Sequence, residues 1–173
     1  KTIILAALLI GSIITLVTPI QFQIDTSSIS QFDHYWERCV GSGHATLALR
    51  QDYREQLLRA HKEAGFQMVR FHGLLSDDMS VVLQGPGSTF YYSFFNIDQL
   101  FDYLLEIGMR PLVELSFMPE LLASGESPIF HYKGNATPPK SQKQWYDLIH
   151  ALVTHLVQRY GAHEVRQWAF EVW

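Results

Sequence analysis

From residue 52 onward the chain repeats one unit three times: an amphipathic helix, a glycine, then a short apolar strand. The first helix, about Asp52 to Ala64, sets Tyr53, Leu57, Leu58 and Ala64 on one stripe and ends at Gly65, suited to a left-handed cap. The strand Gln67 to His72 follows. In the second copy Asn96 is placed to cap a helix carrying Ile97, Leu100, Phe101, Leu104 and Leu105; Gly108 closes it and Arg110 to Phe117 is the strand. In the third, Ser141 and Gln144 form a capping box. Trp145, Leu148, Ile149, Leu152, Val153, Leu156 and Tyr160 keep helical spacing up to Gly161, and Val165 to Trp173 is the strand.

Repeated βα units mean an α/β fold, and crossover helices require the strands to run parallel. A further strand around Arg38 to Gly41 makes about four βα units. A doubly wound sheet can stand on so few strands, whereas a (β/α)8 TIM barrel takes roughly 250 residues. As a barrel, the chain is its first half.

Side chains alternate across a strand, which splits each strand into two faces. Val69 and Phe71 oppose Met68, Arg70 and His72; Val113, Leu115 and Phe117 oppose Glu114 and Ser116; Trp168, Phe170 and Val172 oppose Gln167, Ala169, Glu171 and Trp173. The face turned away from the helices therefore carries polar groups near the strands' carboxyl ends. Buried parallel strands are normally continuous apolar runs, and an unpaired buried charge costs several kcal/mol. An internal ion pair from Arg70 to Glu114 or Glu171 would offset that cost. A functional reading goes further, because active sites of parallel α/β folds lie where Arg70, His72, Glu114, Ser116 and Glu171 converge.

Composition narrows the classes. With 47% hydrophobic and 17% charged residues the chain is globular, and its net charge of −4 is spread without a basic face, so no nucleic-acid partner is expected. The lone Cys39 cannot form an internal disulfide and reads as a buried structural thiol. Thr2 to Val17 is uncharged and rich in Ile and Leu. It falls between a signal-peptide core of about 7–15 residues and a spanning helix of about 20. Residues 1–19 are thus a cleaved signal or an uncleaved anchor, with residues 2–18 as a membrane contact and residues 20–173 as the α/β domain. The domain is expected to be secreted or membrane-anchored outside the cytoplasm.

The remaining motifs exclude more than they propose. Gly85-Pro86-Gly87-Ser88 lacks phosphate-loop spacing, no GxSxG elbow occurs, and neither a cofactor nor a metal is expected, although a metal at His72 and Glu114 is a third reading. Aromatic residues cluster in candidate loops at Phe90-Tyr91-Tyr92, Phe94-Phe95, Phe117 and Phe130-His131-Tyr132, where rings could cover the apolar faces of sugars. Asn135-Ala136-Thr137 is an N-glycosylation sequon.

Five segments in order resemble glycoside hydrolase family 39, the group of β-xylosidases and α-L-iduronidases: Arg38-Cys39-Val40-Gly41-Ser42-Gly43-His44; Arg70-Phe71-His72-Gly73-Leu74-Leu75-Ser76-Asp77-Asp78; Phe117-Met118-Pro119 with Leu122-Ala123-Ser124-Gly125; Gly134-Asn135-Ala136-Thr137-Pro138-Pro139-Lys140; and Phe170-Glu171-Val172-Trp173. The Pro-Pro-Lys and Met-Pro segments are closer to bacterial β-xylosidases than to iduronidases. The resemblance implies a retaining exo-glycosidase acting on a xyloside or related carbohydrate, with one carboxylic acid protonating the leaving oxygen and a carboxylate attacking the anomeric carbon from about 5 Å away. It implies that both carboxyl groups lie beyond Trp173, the acid in an Asn-Glu-Pro that follows it, so the segment alone is expected to be inactive. It also implies that His44 and His72 face sugar hydroxyls, that Phe117 lines the pocket, and that Arg70, Glu114 and Glu171 support the site. The alternative is a non-catalytic carbohydrate-binding or envelope interaction module on a degenerate barrel.

Overall fold

The protein was analysed as a computed structural model, which describes residues 20–27, 30–87 and 89–173. In chain order its elements are β1 (Val40–His44), α1 (Gln51–Ala64), β2 (Met68–His72), β3 (Val82–Gln84), β4 (Phe90–Tyr92), α2 (Phe95–Glu106), β5 (Arg110–Leu115), β6 (Pro128–Ile129), β7 (Gly134–Asn135), α3 (Gln142–Tyr160), α4 (Ala162–Val165) and β8 (Ala169–Val172), with short 3-10 turns between. β1, β2, β5 and β8 pair in that order as one parallel sheet. With α1, α2 and α3 as crossovers, this is the first half of a (β/α)8 barrel. Two antiparallel hairpins, β3 with β4 and β6 with β7, occupy the loops after β2 and β5.

Residues 20–27 and 30–33 carry no helix or strand. The apolar stretch 2–18 lies outside the described residues; among these, no helix is long and apolar enough to cross a membrane.

The helix periodicity translates directly into burial. Leu57 from α1, Ile97, Leu100 and Leu104 from α2, and Leu148, Leu152 and Leu156 from α3 are buried together with Val69, Phe71 and Val113 from the strands. Gly65 ends α1 at φ 77°, and its N–H reaches His61 O at 2.9 Å. Such a left-handed cap suits a residue without Cβ.

Three boundaries differ from the sequence reading. β1 runs to His44 rather than stopping near Gly41, which carries His44 to the carboxyl end of the sheet opposite His72. Asn96 is not a cap: it lies inside α2, whose cap position is Phe94, and its Nδ2 donates instead to Met79 O at 3.3 Å. The stretch Val165 to Trp168 is α4 and a turn rather than strand. Glu164 explains the turn, because its carboxylate accepts Arg110 Nε at 2.7 Å and the Trp168 indole N–H at 2.9 Å, which needs a compact backbone between 164 and 168. Ser141 does cap α3, accepting Gln144 N at 3.4 Å, although Gln144 Oε1 is buried without a partner and the reciprocal bond of the box is not made.

On β8, Phe170 and Val172 point to the helix side as the alternation requires, yet they are 42% and 82% exposed. Phe170 borders a groove it shares with Val153 and Val157 of α3 and Val165 of α4.

Two outcomes follow for stability. Phe101 is buried edge-on against Trp168, ring centroids 5.2 Å apart, so Phe101→Ala should cost about 3–5 kcal/mol in chemical denaturation of the protein. The Arg110 guanidinium holds the Glu164 carboxyl below its usual range, with burial opposing and the Trp168 N–H assisting. A lowered folded pKa contributes stability that is complete above the unfolded value near 4.3 and is lost as pH falls through the folded value. Glu164→Gln should therefore destabilise by about 1 kcal/mol at pH 7, because Arg110 is 39% exposed and screened by water, and the deficit should shrink below about pH 4. A pH series of denaturation midpoints for both proteins reads the difference.

Candidate active site

The carboxyl ends of β1, β2, β5 and β8 bring the polar face together. Arg70 of β2 donates from Nε and NH2 to Glu171 of β8, at 2.6 and 3.0 Å. Its NH2 also lies 2.6 Å from Glu114 Oε2 of β5. That second approach is a charge contact rather than an aligned hydrogen bond, and Glu114 Oε2 has no hydrogen-bond partner among the described residues. The ion pairing read as an alternative is thus real, and Arg70 serves both carboxylates. The Arg70 hydrogen bond holds the Glu171 carboxyl below its usual range, and Arg70 itself is raised in return.

Glu114 has a side chain with 0% exposure. Its Oε1 lies 2.9 Å from His72 Nδ1 and accepts from the Ser116 hydroxyl. Ser116 also takes the Gly73 N–H on its Oγ at 3.1 Å, and its carbonyl takes the Leu75 N–H at 2.6 Å. Those bonds fasten the loop after β2 to the end of β5 and hold His72 at the rim, where its side chain is 27% exposed.

His44 is buried with its ring stacked on Tyr132, centroids 3.9 Å apart and planes within 10°. Its Nε2 is 3.2 Å from Asp78 Oδ2, a contact without hydrogen-bond alignment. Burial pushes the His44 imidazole down, and the Asp78 charge opposes this. The close approach requires glycine at 73: its φ is 70°, and a Cβ there would stand 2.7 Å from Ser76 Oγ and 2.9 Å from the His44 ring.

Aromatic rings wall the cluster. Phe117 lies 6.3 Å from His72, 6.0 Å from Phe130, 6.1 Å from Tyr132 and 5.0 Å, edge-on, from Trp173. Phe130 and Trp173 sit 5.7 and 5.3 Å from His72. Gly134 leaves room for the Phe117 ring, since a Cβ there would come within 2.2 Å of it. An adjoining groove of 630 Å³ runs past Phe117, Met118, Trp145 and Trp173.

All six residues singled out from the sequence therefore lie at this end: Arg70, His72, Glu114 and Glu171 in one bonded cluster, His44 beside His72 across β1 and β2, and Phe117 above them. Sequence reasoning did not select Phe130, Tyr132, Trp173, Asp78 or Gly134 as site residues. Ser116 was visible as the residue two beyond Glu114 on the same face, but its role as the fastening point was not. Among the aromatic clusters, only Phe130 to Tyr132 joins Phe117; Phe94 packs on His155 instead, centroids 5.0 Å apart. Cys39 is a half-buried free thiol raised by burial. The sequon is structural here: Asn135 Nδ2 donates to Gly125 O at 2.8 Å, and Oδ1 accepts from Thr137 N and Oγ1 at 3.0 and 2.9 Å.

A cluster of ion-paired carboxylates and histidines under an aromatic wall, at the carboxyl ends of barrel strands, has the composition of a sugar site. Comparison with known proteins identifies the family. The family model described as glycosyl hydrolases family 39 matches residues 20–173. A β-xylosidase of Caldicellulosiruptor saccharolyticus is 56% identical over 145 residues, which cover 84% of this chain and 30% of that protein. A β-xylosidase of Geobacillus stearothermophilus is 42% identical over 154 residues, 87% of this chain and 30% of its own length. The crystal structure of a monomeric β-xylosidase from Caulobacter crescentus CB15 superposes with a TM-score of 0.78 at 40% identity, covering 82% of this chain and 28% of that one. The chain thus spans about a third of the β-xylosidases it matches. Both the sequence match and the barrel geometry place the chain in glycosyl hydrolase family 39.

Proposed function

We propose that this segment is the sugar-binding wall of a retaining β-xylosidase-like exo-glycosidase, and that the acid/base and nucleophilic carboxyl groups are carried by parts of the whole protein outside these residues. The observation that carries the reading is the commitment of both site carboxylates. Glu114 is fully buried and Glu171 is clasped by Nε and NH2 of Arg70, so neither is disposed to attack an anomeric carbon or protonate a leaving oxygen. Retaining chemistry needs two further carboxyl groups about 5–5.5 Å apart across the glycosidic bond.

On this reading His44 and His72 meet sugar hydroxyls, and Phe117 covers an apolar face of the ring. Arg70 favours the ionised form of Glu171, lies against Glu114, and sets the field beneath the sugar. The 56% identity to a β-xylosidase supports xylose as the sugar class. The apolar stretch 2–18 supports export, with the barrel secreted or anchored outside the cytoplasm.

The whole protein should release the aryl group from an aryl β-xyloside, and His72→Ala should lower kcat/KM by about 100-fold, as expected for loss of a buried polar contact made in the transition state, with the denaturation midpoint little changed. A whole protein that binds xylosides without releasing the aryl group would favour the binding-module reading. Unchanged turnover in His72→Ala would take His72 out of the site.

A further inference from the structure

We infer that Glu114 and Ser116 are positioning residues that fix one tautomer of His72, with the proton on Nδ1 and a bare, outward-facing Nε2 that accepts a hydrogen bond from a sugar hydroxyl. This rests on the sugar-site reading above and specifies what the site demands of its ligand: a hydroxyl that donates at this point.

The assignment comes from counting protons around one buried carboxyl group. Arg70 has only N–H groups, and it faces Oε2. On the other side, Ser116 has one proton and two lone pairs. One lone pair is filled by the Gly73 N–H, and the hydroxyl proton is directed at Glu114 Oε1. Apart from His72, every neighbour of the carboxyl group is therefore a donor. A group ringed in this way has no proton to offer the imidazole, so the 2.9 Å contact is made by Nδ1–H donating to Oε1. In the neutral form of the ring this leaves a lone pair on Nε2.

No described residue uses that lone pair. Nε2 has no hydrogen-bond partner among the described residues, and the ring lies among Phe117, Phe130 and Trp173. Aromatic neighbours line the ring without competing for the hydrogen bond, which leaves an oriented acceptor in an apolar frame. Ser116 adds rigidity: it ties Glu114 to Gly73, the residue directly after His72, so the ring is held from its carboxylate partner and from its own backbone. Loss of Ser116 leaves the proton count around Oε1 lower by one and frees the Gly73 N–H.

Glu114→Gln provides a sharp reversal. Arg70, donor-only, draws the amide oxygen to itself, which turns the amide NH2 toward His72 and Ser116. The Ser116 hydroxyl still has a lone pair for one N–H, and His72 Nδ1 must accept the other. The imidazole proton then moves to Nε2, and the outward acceptor becomes a donor.

The test is ¹⁵N NMR of the whole protein labelled at histidine ring nitrogens, with the His72 signals identified by their loss in His72→Gln. At neutral pH the unmodified protein should show protonated Nδ1 and bare Nε2, and Glu114→Gln should show the opposite. Ser116→Ala should keep the Nδ1–H form while kcat/KM on an aryl xyloside falls about tenfold through a less fixed ring. An Nε2–H or doubly protonated ring in the unmodified protein overturns the proposal, and this holds even if Glu114→Gln does not fold. So does an unchanged tautomer in a folded Glu114→Gln. The sugar-site reading fails separately, by absence of xyloside cleavage or binding with the tautomer as expected.

Discussion

Everything at the carboxyl end of this sheet depends on how one carboxylate, Glu114, is kept inside the protein. Its register partner on β8 is Glu171, so parallel pairing sets two acidic side chains next to each other on the same face. Like charges opposite one another on neighbouring strands destabilise a sheet. Arg70, on the other side of β5, answers both at once. Leaving Glu114 buried without that partner would cost about 3–5 kcal/mol, comparable to a large share of a domain's net stability. The three strands are therefore joined by charge on the inner face as they are by apolar packing on the outer.

A second consequence concerns order. The Arg70 contact takes one oxygen of Glu114, and what remains is a single acceptor atom facing His72 and Ser116. Those two bonds run in different directions, one to the end of β2 and one to the loop that follows it through Gly73. A stabilising network has thereby become a positioning one. The absence of side chains at Gly73 and Gly134 serves the same end, since one lets the His44 ring approach the β2 loop and the other lets the Phe117 ring settle beside His72.

The fold was largely legible because its signals are local. Helical periodicity and the glycine after each helix located α1, α2 and α3, and alternation along the strands put Arg70, His72, Glu114 and Glu171 on one face. Where the reading failed, a tertiary contact outweighed a local preference. Asn96 has the side chain of a cap but spends it on Met79 O, and the apolar pattern before Ala169 looks like strand until Glu164 gathers Arg110 and Trp168 around it. The site shows the same limit. Which residues face inward follows from periodicity, but that Phe130 and Tyr132 rather than Phe90 to Tyr92 complete the wall depends on loop paths closed by Asn135 and Thr137, more than a dozen residues from β5.

Stability and binding are thus drawn from the same groups, and this governs how any substitution at the site is to be read. Val69, Phe71 and Val113 contribute to the core alone, and changes there act through packing. Arg70, Glu114 and Ser116 belong to both ledgers: each contacts a buried partner and each constrains the partly exposed ring of His72. Activity lost on altering them can reflect a loosened strand end or a misdirected imidazole. Only a quantity that belongs to the imidazole itself, the nitrogen that carries its proton, separates the two, because packing can loosen a ring without moving a proton from one side of it to the other.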